Sequence, residues 1–176
     1  MSIPHVLAFE PRHAQRRRRE ALDYFYAAYQ AQMRKDFSLA IEKYQQSIET
    51  FPTAEAHTFL GWAYSFLGEL DLAIEECQRA ISIDPDFGNP YNDIGAYLIA
   101  QGQYEEATPY LQQALKAKRY RAYHFAHFNL GRAKEYQGDF LNAYRHYRTA
   151  LKIEPRYWVA RRAITHLKKC LLKSAH

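Results

Sequence analysis

The stretch WVARRAITHLKKCLLK (residues 158–173) places Ala160, Ile164, Leu167 and Leu171 at steps of three and four. That spacing is one helical face, and Arg161, Arg162, Lys168, Lys169 and Lys173 take the remaining positions. An amphipathic helix is predicted there. Upstream, a second and longer period appears. Ala40, Ala73, Ala107 and Ala143 follow one another at steps of 33 to 36 residues. Twelve residues before them lie Ala28, Gly61, Gly95 and Gly131, and five before them Lys35, Gly68, Gly102 and Gly138. Four residues after them come Tyr44, Cys77, Leu111 and Tyr147, and seven after come Ser47, Ala80, Ala114 and Ala150. Pro52, Pro85 and Pro155 stand twelve residues on, with Arg119 in the remaining place. Self-similarity at this period predicts stacked helical units, since one unit cannot bury its own apolar face.

Each recurring residue has a physical use. Gly or Ala twelve residues before the reference Ala lets two helices approach closely, and the larger residue after it fills the space beside that contact. Gly68, Gly102 and Gly138 suit a helix-ending turn with a left-handed backbone. The prolines end the second helix of their units. With the signatures Leu60-Gly61-x2-Tyr64, Ile94-Gly95-x2-Leu98 and Leu130-Gly131-x2-Lys134, the pattern resembles the tetratricopeptide repeat. That family is built on a helix–turn–helix unit of about 34 residues. The first copy, Ala27-Ala28-x2-Ala31, is the weakest.

The resemblance implies an all-α, right-handed superhelical solenoid of antiparallel helix pairs. The expected organisation is an N-terminal arm and basic helix start (1–20) and four repeats over 21–157, divided as 21–53, 54–87, 88–123 and 124–157. A capping helix (158–176) follows. Pro11 is placed to open a long first helix. Arg119 replaces the terminal Pro and the next copy starts late, so KAKRYRAYH (116–124) is expected to be an irregular basic corner. Pro109 is expected early in its helix, where a missing N–H costs less.

Composition agrees with a folded domain. The 176 residues are 48% hydrophobic and 24% charged, with only 7 Gly and 7 Pro, which argues against wholesale disorder. Cys77 and Cys170 form no CxxC pair, which suggests a reducing, cytoplasmic setting. Cys77 is expected in the core, and Cys170 in the packing of the tail helix. No apolar run is long enough for a membrane span. The start, MSIPHVLAFEPRHAQRRRRE, puts its apolar stretch before its charges and does not read as a secretory signal.

No phosphate loop, nucleophile elbow or HExxH is present. His124 and His127 share a helix face, but no nearby Cys or acid completes a metal set. Catalysis, cofactors and metals are therefore not expected.

The resemblance also implies a concave groove lined by the first helix of each unit. Repeat positions two, five, nine and twelve share that face and hold Leu22, Phe25, Tyr29 and Gln32 in the first copy. Later copies give Glu55, Thr58, Trp62 and Ser65, then Asn89, Asn92, Ala96 and Ile99, then Phe125, Phe128, Arg132 and Glu135. Phe66 and Tyr136 lie beside them. The expected peptide-binding residues are Phe25, Tyr29, Trp62, Phe66, Asn89, Asn92, Phe128, Arg132 and Tyr136. Aromatics serve as anchors, the two Asn hold a ligand backbone, and Arg132 meets a carboxylate. Phe25 and Phe128 have packing between helices as an equal alternative. The arm IPHVLAF is a candidate to occupy the groove itself. A carboxylate clamp, as in co-chaperone members of the family, is rejected: the matching positions hold Phe25, Tyr29, Phe59, Asn89 and Asp93, with no cation.

Charge is segregated. Residues 54–87 hold seven acids against Arg79, and residues 124–176 hold eleven Lys and Arg against three acids. The basic surface is expected at Lys118, Arg119, Arg121, Arg161, Arg162, Lys168 and Lys169. It raises head-to-tail homo-oligomers, or contacts through the N-terminal arm, as options. It also raises nucleic acid as the alternative partner, disfavoured because a capping helix must be polar outside. The leading expectation is a protein- or peptide-binding scaffold or adaptor, an assembly factor or chaperone.

Overall fold

The computed structural model describes residues 12–173. Among them the regular elements are nine α-helices and one isolated β-bridge. The helices are α1 (Arg12–Met33), α2 (Phe37–Thr50), α3 (Ala54–Phe66), α4 (Leu70–Ile83) and α5 (Asn89–Ala100). They continue with α6 (Tyr104–Lys116), α7 (Tyr123–Tyr136), α8 (Phe140–Ile153) and α9 (Trp158–Lys173). The arm IPHVLAF and Pro11 lie outside the described residues.

Consecutive helices pack as hairpins: α1 with α2, α3 with α4, α5 with α6, and α7 with α8. Each hairpin also packs on the next, and α1, α3, α5 and α7 touch one another in series. The first helices therefore form one continuous inner layer. Short side chains make this stacking possible. Ala28, Ala40, Ala63, Ala73, Ala107, Ala133 and Ala143 are fully buried, with Tyr44, Ile94, Leu111 and Tyr147 filling the space between them. The core is thus a chain of small clusters along the solenoid, as a one-dimensional stack requires.

The turn inside each hairpin is the same device. Gly68, Gly102 and Gly138 have φ of 85°, 80° and 77°. The next amide reaches back to close the helix: Glu69 N donates to Tyr64 O at 3.1 Å, Gln103 N to Leu98 O at 2.8 Å, and Asp139 N to Lys134 O at 2.9 Å. Lys35 adopts the same geometry in the first unit, with φ 63°. Asp36, Thr53 and Asp139 then cap the following helices through their side chains.

The third unit ends differently. Residues 117–122 leave α6 as an extended strap lying on the loop before α5. Arg119 N donates to Asp86 O at 2.8 Å, and Phe87 and Arg119 form the parallel bridge. A Pro at 119 has no N–H to give, which explains the departure from the repeat pattern. Pro109 is not early in α6: it is an exposed residue inside the helix.

α9 closes the stack. Ala160 and Leu167 are buried, and Leu167 joins Ala143 and Tyr147 of α8 with Ala163 and Ile164 beside it. The expectation for the end of α9 is corrected. Leu171 and Cys170 are exposed, beyond Leu167, the last buried residue of the helix.

Candidate functional site

The inner layer brings α3, α5, α7 and the strap around one hollow of about 320 Å³. Its lining includes Phe59, Trp62, Asn89, Asn92, Asp93 and Phe125, with Thr58, Tyr120 and Ala122 completing it. Helical spacing puts Thr58, Phe59 and Trp62 on one side of α3, and Asn89, Asn92 and Asp93 on the facing side of α5. Trp62 is 43% exposed and Phe125 42%, high values for such large apolar side chains within a lined cavity. Phe59 supports Trp62 edge-on, with ring centroids 5.8 Å apart. Tyr120 comes from the strap and is 1% exposed, its ring lying under Gly88 at the start of α5. Any side chain at Gly88 would collide with it, since a Cβ there would lie 2.4 Å from Tyr120 Cβ.

The polar side of the hollow is prearranged. Asn129 of α7 donates Nδ2 to Asn92 Oδ1 at 3.1 Å, and Asn92 donates Nδ2 to Asp93 Oδ1 at 3.1 Å. Arg132 Nη1 donates to Asn129 Oδ1 at 3.3 Å, which completes a relay from α7 to α5. Asp93 keeps some exposure to the hollow, yet burial pushes its carboxyl from 3.8 up to about 7, opposed by the Asn92 hydrogen bond. Burial likewise raises the Cys77 thiol, so that buried thiol is inert.

The predicted groove residues do not all meet in this hollow, and Arg132 lies outside its lining, held to Asn129. Trp62, Asn89 and Asn92 line the hollow together. Asn92 is mostly engaged within the protein, so Asn89, exposed at the rim, is the freer amide. Phe25 and Phe128 are half-buried packing residues. Phe25 lies 5.5 Å from Tyr44 and 5.2 Å from Phe59, and Phe128 lies 5.5 Å from Tyr147. Phe66 and Tyr136 sit at helix ends instead, stacked on Phe37 and Tyr104 at 4.8 Å and 4.7 Å. Those two stacks occupy equivalent places in the repeat. Tyr29 leans on Phe59 at 5.9 Å along the inner layer, outside this hollow. Gln32 and Glu135 accept hydrogen bonds from Tyr44 and Tyr147, at 2.8 Å and 2.5 Å, and so face their partner helices. A further hollow lies beyond Phe25, bordered by Arg18, Leu22 and Phe51.

The basic surface is narrower than the sequence implied. Lys118 pairs with Asp86 at 2.9 Å, and Arg119 pairs with Glu55 at 2.6 Å and with Asp84. Both are spent holding the strap to the second unit. Arg161, Arg162 and Lys169 are exposed on α9 beside Trp158, and Lys168 lies over the Tyr144 ring at 5.8 Å. Arg121 is exposed in the strap. His124 and His127 diverge: the first ring lies against Phe125 and Tyr157, and the second faces His146 with Nδ1 atoms 3.2 Å apart. Among the described residues no group of three or more His, Cys, Asp or Glu is arranged to hold a metal ion. No described helix is long and apolar enough to cross a membrane.

Asp93 and Phe59 were not among the predicted groove residues, and Phe125 was placed on the groove face but not among the binding residues. Asp93 lies four residues after Asn89, so the helical period places it on this face, where its charge is hostile to a carboxylate.

Tetratricopeptide repeat family models match residues 54–87, 76–108 and 124–157. Together they cover just over half of the chain, and the middle match begins on α4, one helix out of phase with the other two. The chain is a tetratricopeptide repeat protein. Among curated relatives of this repeat protein, small glutamine-rich tetratricopeptide repeat-containing protein 2 of Saccharomyces cerevisiae is 38% identical over 86 residues. That alignment covers 48% of this chain and 25% of the relative. The Mycosarcoma maydis protein of the same name is 35% identical over 83 residues, covering 47% and 24%. The chain thus matches about a quarter of the length of these relatives. The crystal structure of PilW, a type IV pilus biogenesis factor, superposes with TM-score 0.80 at 22% identity, covering 85% of this chain and 69% of that one. YrrB, described as a TPR protein with an unusual peptide-binding site, gives 0.67 at 19%, covering 81% and 73%. Both likenesses establish the fold.

Proposed function

We propose that this repeat protein is a non-catalytic scaffold that holds a protein or peptide segment along the face of α1, α3, α5 and α7, acting as an adaptor or assembly factor. One observation carries the reading: Trp62 and Phe125 stay nearly half exposed in a lined hollow that also offers the Asn89 amide. Aromatic anchors with adjacent hydrogen-bonding groups are what peptide recognition uses. Peptide binding by a neighbour of the same fold, YrrB, is in keeping with it. The spacing of Cys77 and Cys170, which form no CxxC pair, supports a reducing, cytoplasmic setting.

Head-to-tail association through opposite charges is the weaker option. Glu55, Asp84, Asp86 and Glu76 of the acidic unit are already paired with Arg119, Lys118 and Arg79. The alternative reading uses α9, where Trp158 is 65% exposed beside Arg161, Arg162 and Lys169, a combination suited to nucleic acid. Affinity capture distinguishes these readings. Wild type is compared with Trp62→Ala/Phe125→Ala and with Arg161→Glu/Arg162→Glu, each with and without nuclease. A partner lost only with the groove variant, and indifferent to nuclease, supports the proposal. Binding lost with the α9 variant and with nuclease replaces it.

A further inference from the structure

Asp93 is an unusual residue for an aromatic groove. Its hydrogen bond from Asn92 Nδ2 involves Oδ1, and among the described residues no other hydrogen bond and no ion pair to Asp93 is formed. Asn92 is held in that orientation by Asn129, so the relay supports one carboxylate oxygen and leaves Oδ2 without a donor. No Lys, Arg or His lines the hollow. The Thr58 hydroxyl is spent on Ala54 O at 2.7 Å. The Tyr120 hydroxyl is buried without a well-formed hydrogen bond, making only a loose approach to the Ala126 backbone. A desolvated acid with no cationic partner costs stability, and residues that break local rules in this way cluster at working sites.

The walls have matching chemistry. Phe59, Trp62 and Phe125 line the same hollow as the acid with aromatic rings, whose faces attract cations. An anionic ligand would meet Asp93 unscreened. An aliphatic ligand would deepen its desolvation. A cation satisfies both the carboxylate and the rings.

Resting on the groove reading above, we propose that this hollow receives the cationic side chain of an arginine or lysine in the bound segment, with Asp93 as its counter-charge and Trp62, Phe59 and Phe125 as its walls. Arginine is the better fit, since a planar guanidinium can stack on an indole while it donates to a carboxylate. Trp62 and Asp93 are specificity determinants in this account, and Asn92 and Asn129 position the acid.

Cation binding strengthens as pH rises through about 7, where Asp93 loses its proton. The other titratable groups facing Asp93 are Cys77 of α4, Tyr97 of α5 and Tyr120 of the strap. Burial pushes all three upward, so they stay neutral over this range. α3 presents Thr58, Phe59 and Trp62 and no titratable group, and α7 presents Phe125 and, through Asn129, the guanidinium of Arg132.

The test titrates the full chain with capped Gly/Ala heptapeptides carrying central Arg, Lys, norleucine or Glu, following the Trp62 indole resonance and, for Trp62→Leu, the side-chain amide of Asn89. Arg and Lys peptides should bind about tenfold tighter than norleucine at pH about 8, as one cation–π contact plus one half-exposed ion pair allows. Asp93→Asn should cut that preference to about threefold, the part left to the aromatic walls, while leaving the helical spectrum intact, and Trp62→Leu should also reduce it. Norleucine binding as well as Arg, or a cation preference undiminished in Asp93→Asn, overturns the proposal and leaves the groove reading standing. A Trp62 resonance moved by no peptide also overturns it, and the capture experiment then judges the groove reading separately. Concentration-independent contacts from Trp62 to residues 1–11 would identify the chain's own arm as the occupant instead, and would equally overturn it.

Discussion

Replacing Asp93 by Asn should stabilise this protein, by an amount that grows with pH. Asn is close in shape and keeps an acceptor for the Asn92 amide, so the change mainly removes a desolvated charge. A carboxyl moved from 3.8 to about 7 carries a ceiling of about 4 kcal/mol against the ionised form. Asp93 is partly exposed and its neighbours can relax, so about half of that, about 2 kcal/mol, is expected. The direction in pH is fixed by linkage. Below 3.8 both folded and unfolded chains hold the proton, and Asp and Asn should be nearly equal. Between 3.8 and about 7 the unfolded chain has lost its proton while the folded chain keeps it, so wild-type stability falls as pH rises. Above about 7 the penalty is complete and constant. Urea unfolding of both proteins, followed by circular dichroism at several pH values, should give a difference near zero at about pH 3.5. It should reach about 2 kcal/mol by about pH 8, or roughly 4–8 °C in Tm. A difference that is flat with pH, or that grows toward acid, would refute the claim that Asp93 is desolvated and unpaired.

Two further substitutions test the stacking. Gly131→Leu should lower stability by about 3 kcal/mol in the same assay through overpacking, because even a Cβ there would lie 2.5 Å from the buried Tyr147 ring; an unchanged midpoint would contradict the close crossing. Lys35→Gly should raise stability by about 1 kcal/mol, since Lys35 holds a left-handed φ of 63° that its counterparts fill with Gly; a loss would mean that the Lys35 side chain contributes more than its backbone costs.

The parts of the fold visible in the sequence are those whose physics is local. Gly68, Gly102 and Gly138 announce a helix end through their own backbone freedom. The small residues at 61, 95 and 131 announce a close crossing through their size. The groove was only partly visible, because a helical period assigns a face but not what that face meets. Position twelve of the repeat, at Gln32 and Glu135, lies near the groove face by angle. There, though, its polar group can reach the tyrosine of the partner helix, and it does. Phe66 and Tyr136 share a place at the end of a first helix, where the opening residue of the preceding second helix supplies a stacking ring. The basic corner misled for a different reason. The partners of Lys118 and Arg119 are 32 to 64 residues away, and no local pattern reports that they are acids. Asp93 was legible as a residue on the right face; its isolation from any cation emerges only from the packing around it.

The hollow between α3, α5 and α7 is the proposed working surface. The most direct measurement is a resonance shift map of the full chain bound to its captured partner segment. The largest shifts should fall on Trp62, Asn89, Asp93 and Phe125. Shifts gathered instead on Trp158, Arg161, Arg162 and Lys169, with the hollow unmoved, would contradict it and make the capping helix the binding face.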